Sequence, residues 1–260
     1  MRLSGAPAGP GPGDGPIRVD DLPPSARDAV AGLWRYRERV EREAAALFTG
    51  LAADLDAAGL PALAARARVA ADDEARHAVR CRAIVDACRP GLPPLPPRAV
   101  VVAPRGPADA PPADAGRRAL YTSVAMGCVT ETLSCALLLA MRDAARFGPS
   151  RAAIAGIVKD ELAHSRLGWA HLAAAAAAGD VTWLAPHVAA MRADALRHDV
   201  AELPTTEAAG PAAAGDVADL SAFGILPRAR VTIVVEAAWR DVIVPGLARH
   251  GIAAGPAGEA

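Results

Sequence analysis

Aromatic residues are scarce in this chain, at 3% of the total, and lysine is nearly absent: Lys159 is the single one, so the positive charge is otherwise arginine. With a formal net charge of -1 and no basic block, the sequence offers no nucleic-acid surface. The Gly- and Pro-rich start, Met1 to Pro16, has no apolar run able to act as a signal peptide or membrane span, which implies a cytoplasmic protein with no membrane partner. No C-x-x-C zinc or redox motif occurs, and no G-x-G-x-x-G fingerprint of a flavin or nicotinamide site follows a strand. The four cysteines form two pairs, Cys81 with Cys88 and Cys128 with Cys135, each two helical turns apart. That spacing is too long for a disulfide within a pair, so they read as small apolar side chains in a reducing compartment.

What is abundant is apolar mass, 52% of the chain, largely Ala with Leu and Val. Such composition favours packed helices over sheets, and 260 residues suit one core. Ser25 and Asp28 resemble a capping box that opens a first helix, which Gly59 and Pro61 stop. A second helix runs from about Pro61 to Cys88. Residues 89–117 carry too many prolines for helix and read as a long extended crossover. A third helix spans about Arg118 to Phe147, and a fourth about Ser150 to Ala178. Two more, about Pro186 to Glu202 and Pro227 to Arg249, flank a Gly, Ala and Pro loop near residue 210. The expected organisation is a disordered segment 1–22, one helical domain 23–250 and a flexible tail 251–260.

Four helices carry ionisable residues inside apolar stripes. On the second, Glu74 and His77 share a face with Cys81, Ile84, Val85 and Cys88; on the fourth, Glu161 and His164 share one with Ile154, Ile157, Val158 and Leu167. Glu131 is a lone acid among Val124, Cys128, Cys135 and Leu138. Glu41 lies with Trp34, Ala44, Phe48 and Leu51, with Glu38 and Glu43 as competitors for its role. Four carboxylates and two imidazoles buried together need compensating positive charge, because each desolvated ion loses its hydration. Two divalent cations would balance four ionised carboxylates, with neutral imidazoles as nitrogen ligands. One Glu from each of two helices plus a Glu-x-x-His from each of the other two is the ligand arrangement of two-metal helical bundles.

The motifs DDEARH, CVTET and KDELAHSRLGW resemble those of the ferritin-like di-iron carboxylate superfamily over roughly residues 30–178. The chain is similar in particular to a group of bacterial ferritin-like domain proteins, mostly uncharacterised, through Val40-Glu41, Phe48 and Trp169. The resemblance implies an all-α, ferritin-like four-helix bundle with a long crossover between helices two and three and two additional C-terminal helices. It also implies that Asp73 and Asp160 accept hydrogen bonds from His164 and His77, orienting the imidazoles. Many bacterial monooxygenases of the superfamily have Thr where this sequence has Cys135, and the N-oxygenase relatives have an extra His where it has Ile157. Of the other histidines, His171 stands two turns beyond His164, and His187, His198 and His250 fall among surface-like residues; all four read as solvated or packing positions rather than a channel lining. Tyr36 and Tyr121 read as core tyrosines.

The function expected is therefore a di-iron oxidase or oxygenase that activates O2 for oxidation of a small organic substrate. Its cofactor is two Fe ions, with Mn compatible, and its electrons come from a ferredoxin or separate reductase. The alternatives are a ferroxidase or iron-handling protein and a two-manganese peroxide-dismutating enzyme. A monomer or homodimer is expected, since the Pro-rich crossover and Gly-rich tail look unlike a shell-forming subunit.

Overall fold

The computed structural model describes residues 19–100, 102, 114–209 and 220–254, and among these every regular element is helical. Helix α1 is Pro24–Ala57. Pro24 takes its first position, where a missing N–H costs nothing, and Pro23 precedes it without a side-chain cap. Ser25 and Asp28 therefore form no capping box; Asp28 instead pairs with Arg89 at the far end of α2. Gly59, at φ +73°, turns the chain and lets Leu60 N–H reach Leu55 O, after which α2 (Pro61–Cys88) starts on a proline.

The crossover runs without helix through residues 89–100 and is strapped to α1 by arginines. Arg35 and Arg42 donate to the carbonyls of Pro93 and Leu95, and Arg98 grips Glu43. Residues 103–113 of it lie outside the described residues, as does 210–219, where the Gly, Ala and Pro loop was placed. Helix α3 spans Ala115–Ala144. It starts three residues before the expected Arg118, because the Asp114 carboxylate caps Gly116 N–H at 3.0 Å. It ends before Phe147, because the N–H groups of Arg146 and Phe147 bond to Ala222 O at 2.7 and 2.8 Å. Within it, Val124–Thr130 is a π-helical segment that ends directly at Glu131. Helix α4 is Gly148–Ala178.

After a 3₁₀ turn, Thr182–His187, come α5 (188–200) and α6 (228–248), each also containing a π segment. Near the ends of the described chain, Val19–Asp21 forms a 3₁₀ turn beside buried Leu22, and Ile252 is buried in the core. Helices α1 to α4 close a ring: α1 on α2, α2 on α4, α4 on α3 and α3 on α1. Helices α3 and α4 cross in close backbone contact: a Cβ built on Gly168 would lie 2.5 Å from Ser123 O and 2.7 Å from Gly127 Cα. Only two glycines let these backbones touch. Helix α5 packs on the π segment and α6 on α3. Trp169 of α4 rests on Gly246 of α6 and donates to Thr132 at 3.3 Å. Helix α3 is long and apolar enough to cross a membrane by length and composition, but 72% of its apolar 18-residue window is buried inside the fold.

Candidate metal centre

Midway along the ring the apolar core is interrupted by Glu41, Glu74, His77, Glu131, Glu161 and His164, each at most 3% exposed. Their ligand atoms form two overlapping groups. Glu41, Glu74, His77 and Glu161 make one, and Glu74, Glu131, Glu161 and His164 the other; within each group the atoms lie within 4.8 Å of one another. Both imidazoles point Nδ1 inward. His77 Nδ1 is 3.4 Å from Glu41 and 3.2 Å from Glu74, while His164 Nδ1 is 2.9 Å from Glu74 and 3.2 Å from Glu161. Their Nε2 atoms point outward, His77 to Asp160 at 3.2 Å and His164 to Asp73 at 3.3 Å. These outer carboxylates fix the ring orientation and leave Nδ1 as the inward donor atom. Asp73 is itself paired with Arg76.

The neighbours of Glu41 are committed elsewhere. Glu38 pairs with Arg82 at 3.2 Å, and Glu43 with Arg98 at 2.7 Å. Sequence reading missed Arg37. One turn before Glu41, it is 5% exposed, pairs closely with Glu41 and reaches Glu161 at 3.9 Å. Its Nε has no hydrogen-bond partner. The available signal was an Arg four residues before a Glu on a stripe containing Trp34, which spacing alone does not separate from an ordinary surface pair.

Burial governs the charge states, and neighbours decide its sign. Desolvation and the facing Glu161 push Glu74 up to about 8 and hold Glu131 well above the carboxylate range. Burial alone would raise Glu41 too, but the Arg37 guanidinium and His77 hold it at about 2. Burial opposes charging of the imidazoles, yet Glu41 and Glu74 raise His77 to about 10, and Glu161 and Glu74 raise His164 to about 9. Without metal, protons and Arg37 supply the positive charge that this acid cluster needs. Glu74 Oε1 faces His164 Nδ1 at 2.9 Å, so both inward donor atoms are buried where a cation would sit. Carboxylate and imidazole donors together suit divalent iron, manganese or zinc.

A cavity of about 70 Å³ abuts the centre, against the ~10–15 Å³ that a single water needs. All four carboxylates line it and neither ligand imidazole does, so the open side of the centre is the carboxylate side. The walls include Val40, Leu47, Val102, Met126 and Met191, together with His198 and Asp199.

The remaining expected positions are structural. Cys81, Cys88, Cys128 and Cys135 are buried free thiols; burial pushes Cys135 up to about 12. Ile157 is fully buried core. His171 is away from the cavity wall and bonds Ser123 at 2.8 Å, and His187 packs edge-on against Tyr121. Tyr36 donates to His198 O at 2.9 Å. Phe48 lies 5.2 Å from the His164 ring. No family model matches this chain, and no curated protein or solved structure does either.

Proposed function

We propose that this chain is a ferritin-like, cytoplasmic di-iron oxidoreductase that uses O2 to oxidise a small organic substrate. The supporting observation is the cavity that meets all four carboxylates and is walled by apolar side chains. A centre whose only task was to hold the bundle together would be closed on that side. Glu41, Glu74, His77 and Glu161 would hold one ion, and Glu74, Glu131, Glu161 and His164 the other, with Glu74 and Glu161 shared. When bound, a pair of ferrous ions supplies the electrons and Lewis acidity for O2 reduction, and a ferredoxin or reductase restores them. Asp160 and Asp73 keep the His77 and His164 Nδ1 atoms aimed inward. The aliphatic walls exclude bulk water and position the substrate against the carboxylate side.

The test is O2 consumption by protein reconstituted anaerobically with Fe(II) and supplied with a reductant. Wild type should consume O2. Glu131→Ala should lose that rate by more than the ~10–100-fold typical of losing an outer hydrogen-bond partner, while its circular dichroism stays helical. Full iron content and full rate in Glu131→Ala would remove Glu131 from the ligand set.

A further inference from the structure

The outward faces of α2 and α4 carry side chains that neither the bundle nor the centre uses. Arg66, Arg76, Arg80, Lys159 and Arg166 are all exposed there. Arg66 lines the groove between the two helices together with Ala163, His164 and Leu167, and Arg80 lies across Gly156 of α4. Lys159, Leu162 and Arg166 follow at helical spacing on one face of α4. Arg76 pairs with Asp73, but Arg66, Arg80, Lys159 and Arg166 have no ion-pair partner among the described residues. The acids beside them are Asp72, Asp73 and Asp160, while Asp86, further along α2, is matched by Arg82 at 2.9 Å. With all three ionised the face still keeps a positive surplus, in a chain whose formal net charge is -1. Val69, Val79 and Leu162 stand among these cations at 58%, 69% and 41% exposed.

The same groove reaches the centre from the imidazole side. His164 and Asp73 line it, and the Asp160 side chain, 26% exposed, meets His77 Nε2 at 3.2 Å. One carboxylate thus stands between solvent and each ligand imidazole, whereas the cavity on the carboxylate side touches neither ring. We propose that the α2–α4 face docks an acidic one-electron carrier protein that supplies the electrons of the reaction, so that carrier and substrate approach the centre from different sides. The inference rests on the oxidoreductase reading. Each docking passes one electron: the carrier is oxidised, one ferric ion of the pair is reduced, and no bond forms or breaks. Cations around exposed aliphatic side chains fit an acidic surface, steer its approach and suit the small, short-lived contact of an electron-transfer pair. A second copy of this chain would bring the cations against their own kind. In a nucleic acid or an anionic membrane, phosphates would meet the interspersed Asp72, Asp73 and Asp160.

The probe is a plant-type ferredoxin, an acidic one-electron carrier, titrated calorimetrically into the zinc-loaded chain with zinc content measured on the same sample. It should bind once per chain and lose about tenfold or more in affinity between ~20 and ~200 mM salt. A basic cytochrome c should not bind. Lys159→Glu combined with Arg166→Glu, both at exposed positions, should weaken ferredoxin binding by at least ~10-fold with zinc content unchanged, whereas Arg230→Glu, at an exposed arginine of α6, should leave it unaltered. Loaded with iron and oxidised, wild type should reoxidise limiting reduced ferredoxin at least ~10-fold faster than the doubly reversed chain. No ferredoxin binding by the zinc-loaded chain, binding insensitive to salt, or undiminished affinity and electron transfer in the doubly reversed chain would each overturn the proposal, and full zinc content in those samples would leave the metal centre standing. If the double variant does not fold, Lys159→Glu alone decides. Failure to take up zinc would overturn the metal reading itself, and this inference with it.

Discussion

His77, His164 and Glu74 each hold a proton in the metal-free chain that a metal ion must displace, which couples metal binding to pH. Their folded pKa values, about 10, 9 and 8, all lie above the unfolded ones. For the two histidines, the associated stability is complete below pH ~6.5 and is lost as pH rises through the folded values. Glu74 has the same sign, because a raised carboxyl favours the folded state only while protonated. Glu41, held at about 2, acts oppositely but outside this window. The metal-free chain should therefore lose stability as pH rises from 6.5 to 8.5, whereas the loaded chain, with those protons already gone, should not. Scanning calorimetry with and without Mn(II) should show a melting-temperature increment that grows across this range; a constant increment would contradict the assigned charge states. At this scale the six inward residues were legible, because acids and histidines in apolar stripes stand out. The choice among Glu38, Glu41 and Glu43 was not settled by local pattern, since Arg82 and Arg98, which occupy the other two, arrive from α2 and the crossover.

The helices themselves follow punctuation that sequence shows well, and α2 begins and ends where Pro61 and Cys88 suggest. The end of α3 could not be read locally, because Ala222 O, far along the chain, captures Arg146 and Phe147. Nor was the π segment legible, since no residue type marks the added residue per turn. Its position just before Glu131 fits the frequent use of such segments at functional sites, where they re-aim a side chain. The glycine contact between α3 and α4 yields a paired prediction. Gly168→Ala forces a Cβ into Ser123 O and should destabilise the fold by ~1–3 kcal/mol. Gly50→Ala, on an exposed helical position with nothing within 4 Å, should stabilise by ~0.5–1 kcal/mol. Urea unfolding of both measures the difference; an unchanged midpoint for Gly168→Ala would mean that α3 and α4 do not touch there.

The described residues form a ring of four helices braced by two more, with an acid-rich centre that is satisfied by protons and one arginine in the metal-free chain. Its all-helical class followed from Ala-rich composition, whereas the bracing by Trp169 on Gly246 depends on contacts between distant segments. On the proposed function metal would be a cofactor, so loading should stop at the ligand set, and the chain should behave as a monomer or a two-fold dimer. Light scattering showing a shell of many subunits, with tens of irons per chain, would favour iron storage instead. The most direct test is elemental analysis of correctly folded protein after anaerobic reconstitution with Fe(II) and removal of free metal. About two ions per chain is the expected result, set by the two overlapping ligand groups. No bound metal above background would contradict the central claim that these six residues form a metal centre.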